Sequence, residues 1–236
     1  ASDVYKRQPD RDAMTSPAVD AALTETAAPD TPDRPEAAVV RKRPKPGERR
    51  VQILQALAAM LEAPGADRIT TAALASRLQV SEAALYRHFA SKAQMFEGLI
   101  EFIEQSLFTL ANQIVDREAD PARQVTRLVA MVLQFAEKNP GMARVMAGDA
   151  LVFENERLAV RMNQCFDRLE SLLRQSWKAL AESQGSAQPT VDAQARAAIA
   201  VSLLQGRLHR HVRTGFKRLP TEPVSYTHLT LPTSDL

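Results

Sequence analysis

Tyr86, Arg87 and His88 stand side by side in VSEAALYRHFASKAQMFEGLI, Val80 to Ile100. Tyr86 and His88 can donate hydrogen bonds to phosphate oxygens, and Arg87 or Lys92 can supply charge. Ala83 and Ala84, just ahead, are small enough to let a backbone approach a base edge or a thymine methyl group. Phe89 fits a core plug better than a contact. The plainer alternative is that Tyr86 and His88 only cover a helix end, and it stands for either residue taken alone.

Such a cluster works only if short elements hold it outward. Thr70 or Thr71 can cap a helix through Leu78, and Gln79-Val80 makes a tight connection. Ser81 is an N-cap with Glu82 in the first turn of a helix reaching about Phe89. Two short helices joined by a tight turn and packed on a third make a helix-turn-helix, whose second helix fits the DNA major groove. The third is predicted over 47–63, where Val51, Leu54, Ala58 and Leu61 form an apolar stripe before Pro64-Gly65. Ser91-Lys92-Ala93-Gln94 fits a capping box that opens a long helix, with Met95, Phe96, Leu99, Ile100, Phe102, Ile103, Leu107 and Leu110 apolar.

Downstream, Asp120-Pro121 starts a helix that reaches Lys138, and Asn139-Pro140-Gly141 ends it. A short helix over 142–148, a long one over 151–183 and a last one over 190–214 complete the pattern. Leu203, Leu204, Leu208 and Val212, with Leu169, Leu172, Leu173 and Val201, are expected to form a four-helix contact between two subunits. Twofold symmetry of that kind calls for palindromic DNA.

Composition agrees with an all-α chain. Of 236 residues only 8 are Gly, amid many strong helix formers. The net charge is +2, yet residues 41–95 hold ten Lys and Arg against four Asp and Glu, so a basic module precedes an acidic remainder. Cys165 is the lone cysteine, which rules out an internal disulfide and favours a reducing cytoplasm, with a buried spectator thiol. No signal-peptide order or membrane-spanning apolar run is present. Enzyme motifs are missing too: there is no HExxH, phosphate loop or Ser/His/Asp spacing. His209 and His211 point to opposite sides of one helix, so a metal clamp is not expected.

The ends raise a separate question. ASDVYKRQ, 1–8, can be encoded by gcg tca gat gtg tat aag aga cag. Its reverse complement, in a shifted frame, encodes VSYTHLT, which is Val224 to Thr230. Residues 1–8 and 224–236 are therefore expected to be adapter-derived, with the native C-terminus missing. Residues 9–46 are expected to be a disordered Pro-rich arm, its basic end RKRPKPGERR serving either as linker or as a phosphate-binding arm. The organisation expected between them is a helix-turn-helix head over 47–95 and a helical dimerisation body over 96–223.

ITTAALASRLQVSEAALYRHFASKAQMFEGLI resembles the DNA-binding domain of the TetR family, whose T-x-x-x-[IL]-A…V-[ST]…[LI]-Y-x-[HY]-F-x-[SN]-K pattern it matches at nearly every element. The resemblance implies an all-helical homodimer, a three-helix head on a larger body, with DNA contacts at Thr70, Thr71, Ser81, Ala83, Tyr86, Arg87, His88 and Lys92. SEAALYRHFASKAQMFEGLIEFIEQSLF, EKNPGMARVMAGDALVFENERL and RLHRHVRTGFKRLPT are similar to the nucleoid-occlusion members of that family. Those imply a cytoplasmic, nucleoid-associated factor that restrains the division protein FtsZ and takes its C-terminal tail at a surface corresponding to Phe102, Lys138 and Asn139. Phe102 buried in the bundle is the competing reading. No cofactor is implied. The alternative function is a ligand-responsive transcriptional repressor of the same family, which would need a polar-lined internal cavity.

Overall fold

Glu48–Leu61 (α1) turns Ile53, Leu57 and Leu61 inward in a computed structural model that describes residues 47–63 and 68–222. This corrects the expected stripe: Val51 is 53% exposed, and Leu54 and Ala58 are only partly buried. Two ladders of apolar residues overlap on this helix. The one at 53, 57 and 61 faces the core. The ends expected to be adapter-derived and the arm expected over 9–46 lie outside the described residues.

The next three elements are capped by side chains, and the first two are short. Thr71–Arg77 (α2) starts from Thr70, whose hydroxyl accepts from the Ala73 N–H at 3.1 Å. Glu82–Tyr86 (α3) starts from Ser81, which accepts from Ala84 N–H at 3.3 Å. It ends at Tyr86, earlier than the expected Phe89, and Leu85 and Phe89 fill the small core beneath it. Lys92–Arg117 (α4) begins at Ser91, which accepts from Gln94 N–H at 3.2 Å. The Gln94 side chain reaches back as a capping box requires, but to Ala90 N–H, at 2.9 Å, instead of the cap's own amide.

Asp120 caps Pro121–Lys138 (α5) as expected, accepting from Ala122 N–H at 3.0 Å. Val125, Leu128, Val132, Leu133 and Ala136 are buried along it, because α5 packs against α4, Pro140–Met146 (α6), Glu156–Ser183 (α7) and Pro189–Arg213 (α8). Three expected helices shift. The short helix starts at Pro140, the last one runs over 189–213, and α7 starts five residues later than predicted. A 3-10 turn at Asp149–Leu151 follows Gly148 at φ 86°, and Asn155, accepting from Arg157 N–H at 3.0 Å, restarts the helix.

Among the described residues α7 and α8 make the most extensive helix pairing. It consumes residues assigned to a subunit contact. Leu204 and Leu208 are fully buried and Leu169 and Leu173 are 2% exposed, so their side chains are spent within the chain, as are those of Val201 and Val212. Leu172 and Leu203 remain half-buried at the surface, and Ile199, one turn before Leu203, is exposed.

Candidate nucleic-acid interface

Leu85 points into the core and fixes which face of α3 looks out. At about 100° per residue, the opposite face carries Ala83, about 160° round, with Tyr86 about 100° and Glu82 about 60° from Leu85 on one side of it. Ala83 and Glu82 are exposed, and Tyr86 is 45% exposed. Arg87 and His88 follow, both exposed, in the turn after the helix. Ser81 and Thr70 occupy the two N-caps, so each spends its oxygen on a helix amide and keeps its hydroxyl proton for another acceptor.

This ridge is braced from behind. Arg50 of α1 donates to the His88 carbonyl at 3.0 Å, and its guanidinium lies 4.1 Å from the centre of the Phe89 ring. Phe89 is thus the plug expected of it, and the brace holds the Tyr86–His88 turn on α1. Sequence reasoning missed Arg50. Its signal was present only as part of a basic run with no assigned partner.

Two of the expected contact residues have partners within the chain. Thr71 donates its hydroxyl proton to Glu82 Oε2 at 2.6 Å, tying the start of α2 to the start of α3. Lys92 pairs with Glu154, in the segment between the 3-10 turn and α7, and lies 5.6 Å from the Phe96 ring centre. Partners 11 and 62 residues away have no local signature.

The remaining three expected residues lie along α4 and α5. Phe102 is 46% exposed and therefore not buried in the bundle. Between α4 and α5 lies a groove of about 550 Å³. Leu110, Ile114, Met131 and Phe135 line its apolar part, and Arg117, Arg127, Lys138 and Asn139 its polar rim. Lys138 and Asn139 therefore belong to it. Phe102 is outside the lining but lies about three turns before Gln113 on the same face of α4. Arg127 and Arg117 were not foreseen, since single arginines on exposed helix faces read as solvated charge. Arg127 is 3.3 Å from Glu118.

Among the described residues no three His, Cys, Asp or Glu side chains come together as a metal site. His209 is 51% exposed at its side chain, whereas His211 is buried with Nδ1 2.7 Å from the Arg218 carbonyl. No described helix is long and apolar enough to cross a membrane.

A capped helix-turn-helix with an outward donor ridge, carried on an all-helical body, defines a DNA-binding regulator. The family profile "Bacterial regulatory proteins, tetR family" matches residues 53–99, and "Tetracyclin repressor-like, C-terminal domain" matches 120–231. Nucleoid occlusion factor SlmA of Vibrio vulnificus (strain YJ016) is 52% identical over 179 residues, 75% of this chain and 91% of that protein. Its counterpart in Vibrio cholerae is 53% identical over 174 residues, 73% of this chain and 88% of that protein. The fatty acid degradation regulator FadR of Bacillus halodurans shares the fold, with a TM-score of 0.59, 16% identity and coverage of 72% and 87% of the two chains. The chain belongs to the SlmA family of nucleoid occlusion factors, within the TetR-type regulators.

Proposed function

We propose that the chain binds palindromic duplex DNA as a homodimer and, from the nucleoid, holds the C-terminal tail of FtsZ so that a septum does not assemble over the chromosome. The reading is regulatory, not enzymatic, and is supported by the family relationship. The observation that carries it is the ridge of Tyr86, Arg87 and His88, exposed at the end of a braced helix-turn-helix. Ser81 and Thr70 would add hydroxyl contacts to phosphates, Thr71, its proton given to Glu82, would act by orienting that residue, and Ala83 would set the closeness of approach. Lys92 would act through the ion pair that positions the start of α4, or on phosphate after leaving Glu154.

The α4–α5 groove fits the second partner. A mostly extended tail that is acidic and partly apolar suits apolar walls with Arg117, Arg127 and Lys138 at the rim. Phe102 extends that surface. The groove lies in the body and the ridge in the head, so one molecule can hold both ligands.

Phe102→Ala tests the division of labour. It is expected to leave duplex affinity and its salt dependence unchanged while cutting FtsZ co-sedimentation at least about tenfold, the cost of losing an anchoring interface aromatic. Equal recovery of FtsZ by the variant would place the tail elsewhere.

A further inference from the structure

Glu82 is the one acceptor-only side chain of α3, exposed in its first turn on the side toward α2. Its neighbours Tyr86, Arg87 and His88 present donors, which suit phosphates and the acceptor-rich edge of guanine. A carboxylate on such a surface repels the DNA backbone, so it weakens sequence-independent binding. A first-turn carboxylate suits the helix dipole, but the side-chain cap itself is Ser81, through the Ala84 N–H. Glu82 is not loose. The Thr71 hydroxyl donates to Oε2 at 2.6 Å, which holds the carboxylate and leaves Oε1 without a partner among the described residues.

We propose that Glu82 determines base specificity, its side-chain carboxylate accepting a hydrogen bond from the N4 amino group of a cytosine in the major groove of each half-site. The assignment rests on the DNA-binding reading above. Cytosine is the base that suits an acceptor-only group, because its major-groove edge offers a donor alone. Adenine sets the N7 acceptor next to its amino group, and guanine offers acceptors only. The Thr71 hydroxyl fixes the carboxylate before DNA arrives, which lowers the ordering cost of the contact. The small side chain at Ala83 lets the helix come near enough for the reach of Glu82.

Selection of binding sites from a random duplex pool tests this with wild type, Glu82→Gln, Glu82→Ala and Thr71→Val. The wild type is expected to prefer cytosine at one symmetric pair of positions by about fivefold or more. Glu82→Gln moves that preference to adenine, whose N6 and N7 match an amide, and Glu82→Ala erases it at that pair alone. Both variants bind random duplex more tightly than wild type, since a repelling charge is gone. Thr71→Val keeps the carboxylate but blurs the same pair, which covers the case of an α3 variant that does not fold. Identical base preferences in wild type and Glu82→Gln would overturn the assignment, as would an even loss at every position. A wild-type chain that selects no site overturns the DNA-binding reading and this assignment with it.

Discussion

Gln79 has φ 54°, in the left-handed region, at the turn between α2 and α3. For an L-residue with a side chain that conformation costs about 1–2 kcal/mol, and a β-branched side chain tolerates it least. Gln79→Val is expected to lower stability by about 1 kcal/mol or more, while Gln79→Gly holds or raises it, as thermal melts would record. Cys165 is buried on α7, and desolvation, followed by the nearby Glu104 charge, pushes its thiol from 9.0 up to about 12. The unfolded thiol loses its proton near its ordinary value, but the folded one keeps it until about pH 12. Stability from this group is therefore present below about pH 9 and falls as pH rises through that window. Folded protein should resist iodoacetamide at pH 8 and react once denaturant is added; equal rates would contradict the burial. The spectator thiol, the Phe89 plug and the four caps at Thr70, Ser81, Ser91 and Asp120 were legible from sequence because each depends on a residue's own type or on neighbours within four positions. Thr71 and Lys92 were only half legible. Their identities matched a contact surface, but Glu82 and Glu154 come to them through the fold.

At the scale of elements, α6 is the wedge between head and body, packing on both α1 and α8. It comes close to α1 through Gly141, where an added Cβ would sit 2.1 Å from the Ala58 carbonyl oxygen, inside any permitted contact. Gly141→Ala must push α1 away from α6. The expected cost is at least about 1–3 kcal/mol, with weakened duplex binding because Arg50 braces the ridge from α1. A melt and a duplex titration unchanged from wild type would show that α1 yields freely. The Asn139-Pro140-Gly141 break was readable as a helix end. That its glycine serves a close approach was not, since only the packed structure shows what lies opposite. The start of α7 was misplaced for a related reason. Leu151, Val152 and Phe153 continue an apolar run, but Gly148 turns the chain and Asn155 restarts the helix. The stripe on α1 was misread because Val51 and Ile53 both support an apolar ladder, and only the position of α4 and α6 decides which ladder is covered.

For the whole molecule, the proposed twofold contact must use what the α7–α8 pair leaves outside. Ile199, Leu203 and Gly206 share one face of α8, and Leu172 lies on the exposed side of α7. Ile199→Glu is expected to give a folded monomer in sedimentation, with the melt followed by Trp177, the sole tryptophan, little changed because Ile199 is 43% exposed. That monomer should lose most of its affinity for a full palindrome; a variant that stays dimeric would move the contact to another face. All-helical architecture was legible from composition and periodicity. The subunit contact was not, because periodicity marks apolar faces without saying whether the chain or its partner covers them. Chromosome-wide occupancy tests the central claim most directly, by recovering the protein from cross-linked cells, sequencing the bound DNA and probing the same material for FtsZ. The account predicts many palindromic sites spread round the chromosome, with FtsZ recovered by wild type and lost with Phe102→Ala. Occupancy confined to one promoter, without FtsZ, would contradict it and indicate a transcriptional repressor.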